Sequence, residues 1–244
     1  MANWSDPRTL GTEAGYNVGT ASAATDAGLR SYMLSVYNYM ASGVLLTGLV
    51  AYAFASSGAA ESILMGPGIL KYVIMFSPLV FMLVMSFGIH RLSTAATQAC
   101  FWAFATVMGL SMSAIFLVYT QTSIAQAFFA TAASFLGLSL YGYTTKKDLS
   151  GMGSFLIMGM VGLFVAMLLN LWFQSGTMAL VISALGVLIF AGLTAYDTQR
   201  IKSMYAYVAG TDMLGKTAVM GALSLYLDFI NMFQFLLSFL GNRE

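Results

Sequence analysis

The sequence predicts an all-α membrane protein with seven transmembrane helices, and three observations carry that prediction. Charged residues are only 8% of the 244, where a soluble chain carries about 25%. Mean hydropathy is +0.82, and 59% of the residues are hydrophobic. The apolar residues also fall into seven stretches, each near the ~20 residues that cross a bilayer at ~1.5 Å per residue.

The first stretch runs from Ser31 to Ser56. The second, Gly68 to Ile89, follows a Gly66-Pro67-Gly68 turn and contains Pro78, which should kink it. The third spans Ala95 to Tyr119, the fourth Ser123 to Tyr143 and the fifth Gly153 to Phe173. The sixth spans Met178 to Gln199 and the seventh Thr217 to Leu240. Connectors this short leave no room for a separate soluble domain, so one membrane domain is expected over residues 31–240, with a short tail at 241–244. Residues 1–30 are polar and rich in Gly, Ala, Ser and Thr. They read as a flexible cytoplasmic tail, lacking the features of a secretory signal or a mitochondrial presequence.

Short loops rich in Lys and Arg stay on the cytoplasmic side. Seven spans put Arg8, Arg30, Arg91, Lys146, Lys147, Arg200, Lys202 and Lys216 together, against Lys71 and Arg243 on the other side. The amino terminus is therefore expected in the cytoplasm. Small residues let helix backbones approach in lipid. They recur every four positions at Gly43, Thr47, Ala51 and Ala55, and again at Ala105, Gly109 and Ser113, marking contact faces on the first and third helices.

Several function classes fall away. A net charge of +1 with no basic block offers nucleic acid no electrostatic footprint. One cysteine and one histidine support neither a disulfide framework nor a Cys/His zinc site. An intramembrane serine protease needs a nucleophile and a histidine in the bilayer, and a metalloprotease needs His-Glu-x-x-His. Neither pattern is present, and the last span has no lysine for a retinal Schiff base. No enzyme activity and no resident cofactor are expected.

Two aspartates inside apolar runs stand out, Asp197 and Asp228. An ionisable side chain at the centre of a span costs about 2.5 to 3.5 kcal/mol on insertion scales, and such residues mark interior cavities and functional sites. At ~100° per residue, Ser224, Asp228, Asn231 and Ser238 form one polar stripe on the seventh helix. Ser183, Thr194 and Asp197 form a weaker one on the sixth. If the stripes face each other, the aspartates share an interior. Two carboxylates in low dielectric cannot both ionise cheaply, so they can hold one proton between them and titrate as a coupled pair. Their oxygens are also hard ligands, suited to transient Ca²⁺. A purely structural reading stands beside this one: Arg200 follows Asp197 at an ion-pair spacing, and Asp228 can hydrogen-bond a neighbouring helix. Depth is a further condition. Asp197 sits one turn from the end of its predicted span and Asp228 near the middle of its own, so contact requires tilt or a seventh helix that starts outside the bilayer. Arg91, beside His90 at the end of the second helix, can reach a carboxylate in one state or snorkel to the surface.

Ala195-Tyr-Asp-Thr-Gln199, Leu223-Ser-Leu-Tyr-Leu-Asp-Phe-Ile-Asn231 with its continuation to Leu237, and Lys146-Lys-Asp-Leu-Ser150 resemble the signature of the Bax inhibitor-1 family in its bacterial branch. The similarity covers Ser31 to Leu240. It implies six helices surrounding a central seventh, residence in a bacterial inner membrane, and a pH-sensitive calcium leak with Ca²⁺ as permeant ion. It also implies that Asp197 and Asp228 are the proton-sharing pair, and that a second-helix side chain, Arg91 or His90, competes for one of them. A second role known in the family, binding to and regulating a membrane AAA protease, is the alternative function.

Overall fold

A computed structural model describes residues 7–88 and 91–242. Its helices are α1 (Pro7–Ser56), α2 (Leu70–Gly88), α3 (Thr94–Met112), α4 (Ile115–Val118), α5 (Gln121–Thr144), α6 (Ser150–Phe173), α7 (Gly176–Val208) and α8 (Met213–Leu240). A π-helical turn, Glu61–Met65, lies between α1 and α2, and α3 with α4 forms a single span over Thr94–Val118. Among the described residues, seven helices are long and apolar enough to cross a membrane. The chain is an integral membrane protein, and the predicted spans and the observed ones correspond one to one.

Three boundaries differ in ways that matter. Helix α1 begins at Pro7, so helix runs through most of the stretch whose composition suggests a tail, while its membrane-crossing part starts at Asp26. Proline suits a first helical position, where its missing N–H has no intrahelical partner to lose, and no further proline occurs before Ser56. Residues 1–6, the start of that expected tail, lie outside the described residues, as do residues 243–244 of the short carboxyl-terminal one. Helix α7 continues past Gln199 to Val208, and α8 starts at Met213 rather than Thr217. Arg200 and Lys202 end an apolar span but not a helix, because nothing breaks the backbone before Gly210. There a φ of +73° reverses the chain, a conformation glycine adopts without a Cβ penalty.

Helix α8 is the core of the bundle. Half of its membrane-crossing window is buried, the largest share of any span. It packs against α1, α3, α5 and α7, whereas α2 joins the bundle chiefly through α3 and α6 chiefly through α7. The small-residue faces meet as the spacing suggests. A Cβ on Gly109 would lie 2.8 Å from the Thr47 carbonyl, and Thr47 Oγ1 donates to the Ala105 carbonyl at 2.8 Å, which locks α1 to α3. Asn242 is tied to the start of α5: its N–H donates to Ser123 Oγ at 3.0 Å and its carbonyl accepts from Thr120 N at 3.2 Å.

Pro78 lies within α2. A proline has no N–H, so the carbonyl four residues earlier, on Ile74, loses its helical donor. In lipid that oxygen must find another partner. Two hydroxyls supply it: Ser111 of α3 donates from Oγ at 2.6 Å, and Ser77 of α2 itself donates from Oγ at 2.9 Å. Ser77→Ala combined with Ser111→Ala should orphan this carbonyl and lower stability by about 1 to 3 kcal/mol, read as a fall in the thermal midpoint of the detergent-solubilised protein, whereas Ser111→Ala alone keeps the Ser77 bond and should cost less. Adding Pro78→Ala, which returns an N–H to the same carbonyl, should recover most of the loss.

Candidate functional site: an aspartate pair between α7 and α8

Each residue of Ala195–Gln199 meets a different neighbour. The Ala195 carbonyl sits where a Cβ on Gly142 of α5 would be, and the Tyr196 ring covers Gly153 of α6. Thr198 Oγ1 lies 3.0 Å from Ser139 Oγ, which lies 2.6 Å from Tyr37 Oη, so one chain of hydroxyls joins α7, α5 and α1. The Gln199 amide clamps the loop before α6: Oε1 accepts from Leu149 N at 2.9 Å, and Nε2 donates to the Lys147 carbonyl at 2.7 Å. Asp197 is left half-buried within this frame. In the same loop, Asp148 Oδ1 accepts from Ser150 N at 2.9 Å. These bonds to Ser150 hold the Asp148 carboxyl below its usual range. The support it lends is therefore present at neutral pH and is lost as acid protonates it.

The α8 stretch is anchored in the same way. The Tyr226 hydroxyl lies 2.6 Å from Thr47 Oγ1, and its ring meets Phe101 and Phe104 edge to face. Phe229 packs against Phe128 and Phe135 of α5. Between them Asp228 is 4% exposed, and its Oδ2 makes no hydrogen bond among the described residues. Asn231 Nδ2 donates to the Leu227 carbonyl at 2.8 Å.

Three contacts set the antiparallel register of α7 and α8. Ser183 Oγ lies 3.0 Å from Ser238 Oγ, Gly186 faces Phe235, and Ile201 faces Gly221. Carried along the pair, this register puts Asp197 level with Ser224 and Leu225, and Asp228 level with Leu193 and Thr194. The offset is about one helical turn, roughly 5 Å. The depth mismatch suggested by the span boundaries thus largely closes, because both helices extend beyond the apolar segments. Arg200 follows Asp197 by three residues, on the same face of α7.

The register therefore places Asp197 level with Ser224, Asp228 about one turn along, Arg200 a turn after Asp197 on α7, and Asn231 one turn farther along α8. Arg91 is exposed in the turn after α2. His90 lies outside the described residues. No cluster of three or more His, Cys, Asp or Glu side chains forms among the described residues.

Residues 29–244 match the family described as inhibitor of apoptosis-promoting Bax1. The chain belongs to the Bax inhibitor-1 family. It is 47% identical over 220 residues to an uncharacterized protein of Rickettsia prowazekii, covering 90% of this chain and 92% of that one. Identity to an uncharacterized protein of Caulobacter vibrioides is 46%, over 92% and 94% of the two chains. Identity to the inner membrane protein YbhL of Escherichia coli is 43%, over 89% and 94%. The Gln199 clamp joins the Lys146–Ser150 stretch to the Ala195–Gln199 stretch. Residue patterns alone did not find the clamp or the Tyr37–Ser139–Thr198 chain; the co-occurrence of those two stretches was the available signal.

Two outcomes test this frame. Gly142→Ala places a methyl against the Ala195 carbonyl and should cost about 1 to 3 kcal/mol, whereas Gly162→Ala, mid-helix with nothing within 4 Å of the new atom, should not lower the thermal midpoint. Gln199→Ala should free the clamped loop, so that trypsin cuts after Lys146 or Lys147 much faster than in the parent protein.

Proposed function

We propose that the chain is a pH-sensitive calcium leak of the bacterial inner membrane, gated by a proton shared between Asp197 and Asp228. The observation that carries this reading is the buried Asp228 carboxyl, with an oxygen that makes no hydrogen bond among the described residues, about one helical turn from the level of the half-buried Asp197 on the packed neighbour helix. A single proton between two carboxyls joins α7 to α8. With both groups ionised, like charges oppose that contact and offer a pair of hard oxygens to a divalent cation. The location draws support from the Escherichia coli relative, which is named an inner membrane protein, and from the basic residues clustered on one side of the spans.

The test is calcium flux into dye-loaded proteoliposomes across a pH series. The parent protein should show flux that titrates with pH. Asp197→Asn and Asp228→Asn keep the side-chain shape but cannot titrate, so each should abolish the pH dependence. Unchanged pH profiles in both variants would rule the pair out as the sensor.

A further inference from the structure

A cavity of about 550 Å³ lies between α6, α7 and α8, near the end of α8 remote from the α7–α8 turn. Much of its wall is Met, Phe and Leu, but Asn170, Ser183, Asn231, Gln234 and Ser238 also line it. Ser183 and Ser238 face each other across 3.0 Å, and Asn231 spends its N–H on the Leu227 carbonyl, which leaves its own side-chain carbonyl for another partner.

Gln234 is the telling residue. It is exposed, forms no hydrogen bond with the other described residues, and also lines a second cavity of about 460 Å³ on the other flank of α8, beside α2 and α3. Because α2 packs chiefly on α3 and α6 chiefly on α7, Gln234 stands in the gap between those two flanks. An amide facing hydrocarbon with no partner costs several kcal/mol, roughly 4 to 8 on the cyclohexane scale. Polar side chains at membrane depth accordingly line water-filled cavities. Asn231 and Asp228 are three residues apart and therefore neighbours on one helix face, so this cavity approaches the buried carboxylate from the side.

We propose that the cavity is a hydrated side entrance through which a divalent cation reaches Asp228, with the neutral oxygens of Asn231, Gln234, Ser183 and Ser238 replacing part of its water shell. The proposal rests on the leak reading above and adds the route. Carbonyl and hydroxyl oxygens suit a hard cation, and being uncharged they hold it loosely enough for it to move on.

The test uses the full chain with Cys100, its one cysteine, changed to alanine. Gln234→Cys and Ser238→Cys are compared with Leu168→Cys, which is 51% exposed on α6 and outside the cavity lining. Proteoliposomes are treated with membrane-impermeant cationic and anionic methanethiosulfonates. Both cavity positions should react, the cationic reagent about tenfold faster, and Leu168→Cys should stay unmodified. Millimolar calcium should slow the cavity reaction. No reaction at Gln234→Cys and Ser238→Cys, or equal reaction at all three sites, would overturn a hydrated entrance. Should the parent protein leak calcium while modification at both cavity positions leaves flux unchanged, the entrance fails and the leak reading stands. Should the parent protein pass no calcium, the leak reading fails, and the labelling alone decides whether the cavity admits cations.

Discussion

Asp228 is 4% exposed on the helix at the centre of the bundle, and a carboxyl in that position is expensive unless its surroundings are fixed around it. The packing of α8 answers that constraint. Two residues before it, Tyr226 is held by Thr47 and two phenylalanine rings, and one residue after it, Phe229 is held by rings from α5. These contacts fix the rotation and depth of α8, so the carboxyl cannot swing to the surface. It can only meet what α7 presents.

Helix α7 is held just as firmly, by a different device. Over five consecutive residues it presents a backbone carbonyl to a glycine of α5, a ring to a glycine of α6, a hydroxyl to Ser139 and an amide to the loop before α6. Consecutive helix residues point about 100° apart, so these neighbours surround the helix and oppose its rotation. Lys202 adds a tie at the end of α5, donating to the Tyr143 carbonyl at 2.8 Å and lying 4.9 Å from the Tyr143 ring centre. A positive charge is favourable there because the last helical carbonyls carry the negative end of the dipole. The Asp197 carboxyl is thereby positioned by its four motif neighbours rather than by a partner of its own.

The flanks of the bundle contrast with this centre. Helices α1, α3, α5 and α7 are joined to α8 or to one another by buried hydroxyls and close glycine contacts, whereas α2 and α6 each lean chiefly on one neighbour. Among the described residues, the Ser111 bond to Ile74 is the one polar side-chain tie between α2 and α3. Large apolar faces of α2 and α6 point outward, as a lipid solvent requires. Structural change around the aspartates is thus cheaper at the flanks than along the α5–α7–α8 core.

Seven spans, their order and the two costly aspartates were legible in the sequence, because the bilayer demands ~20 apolar residues per crossing and penalises every buried charge. The contact faces at Gly109 and Thr47 were legible too, since close approach in lipid needs small residues at fixed spacing. Hydropathy could not say where α7 and α8 end, because charge terminates an apolar span while the helix continues. That difference decided the depth of the pair. Tertiary structure alone set the α7–α8 register that levels Asp197 with Ser224 and Asp228 with Thr194, for register depends on which side chains interlock across two helices. It alone also brought Gln199 to a loop 50 residues earlier in the chain, since periodicity within one helix carries no record of the neighbour it will meet.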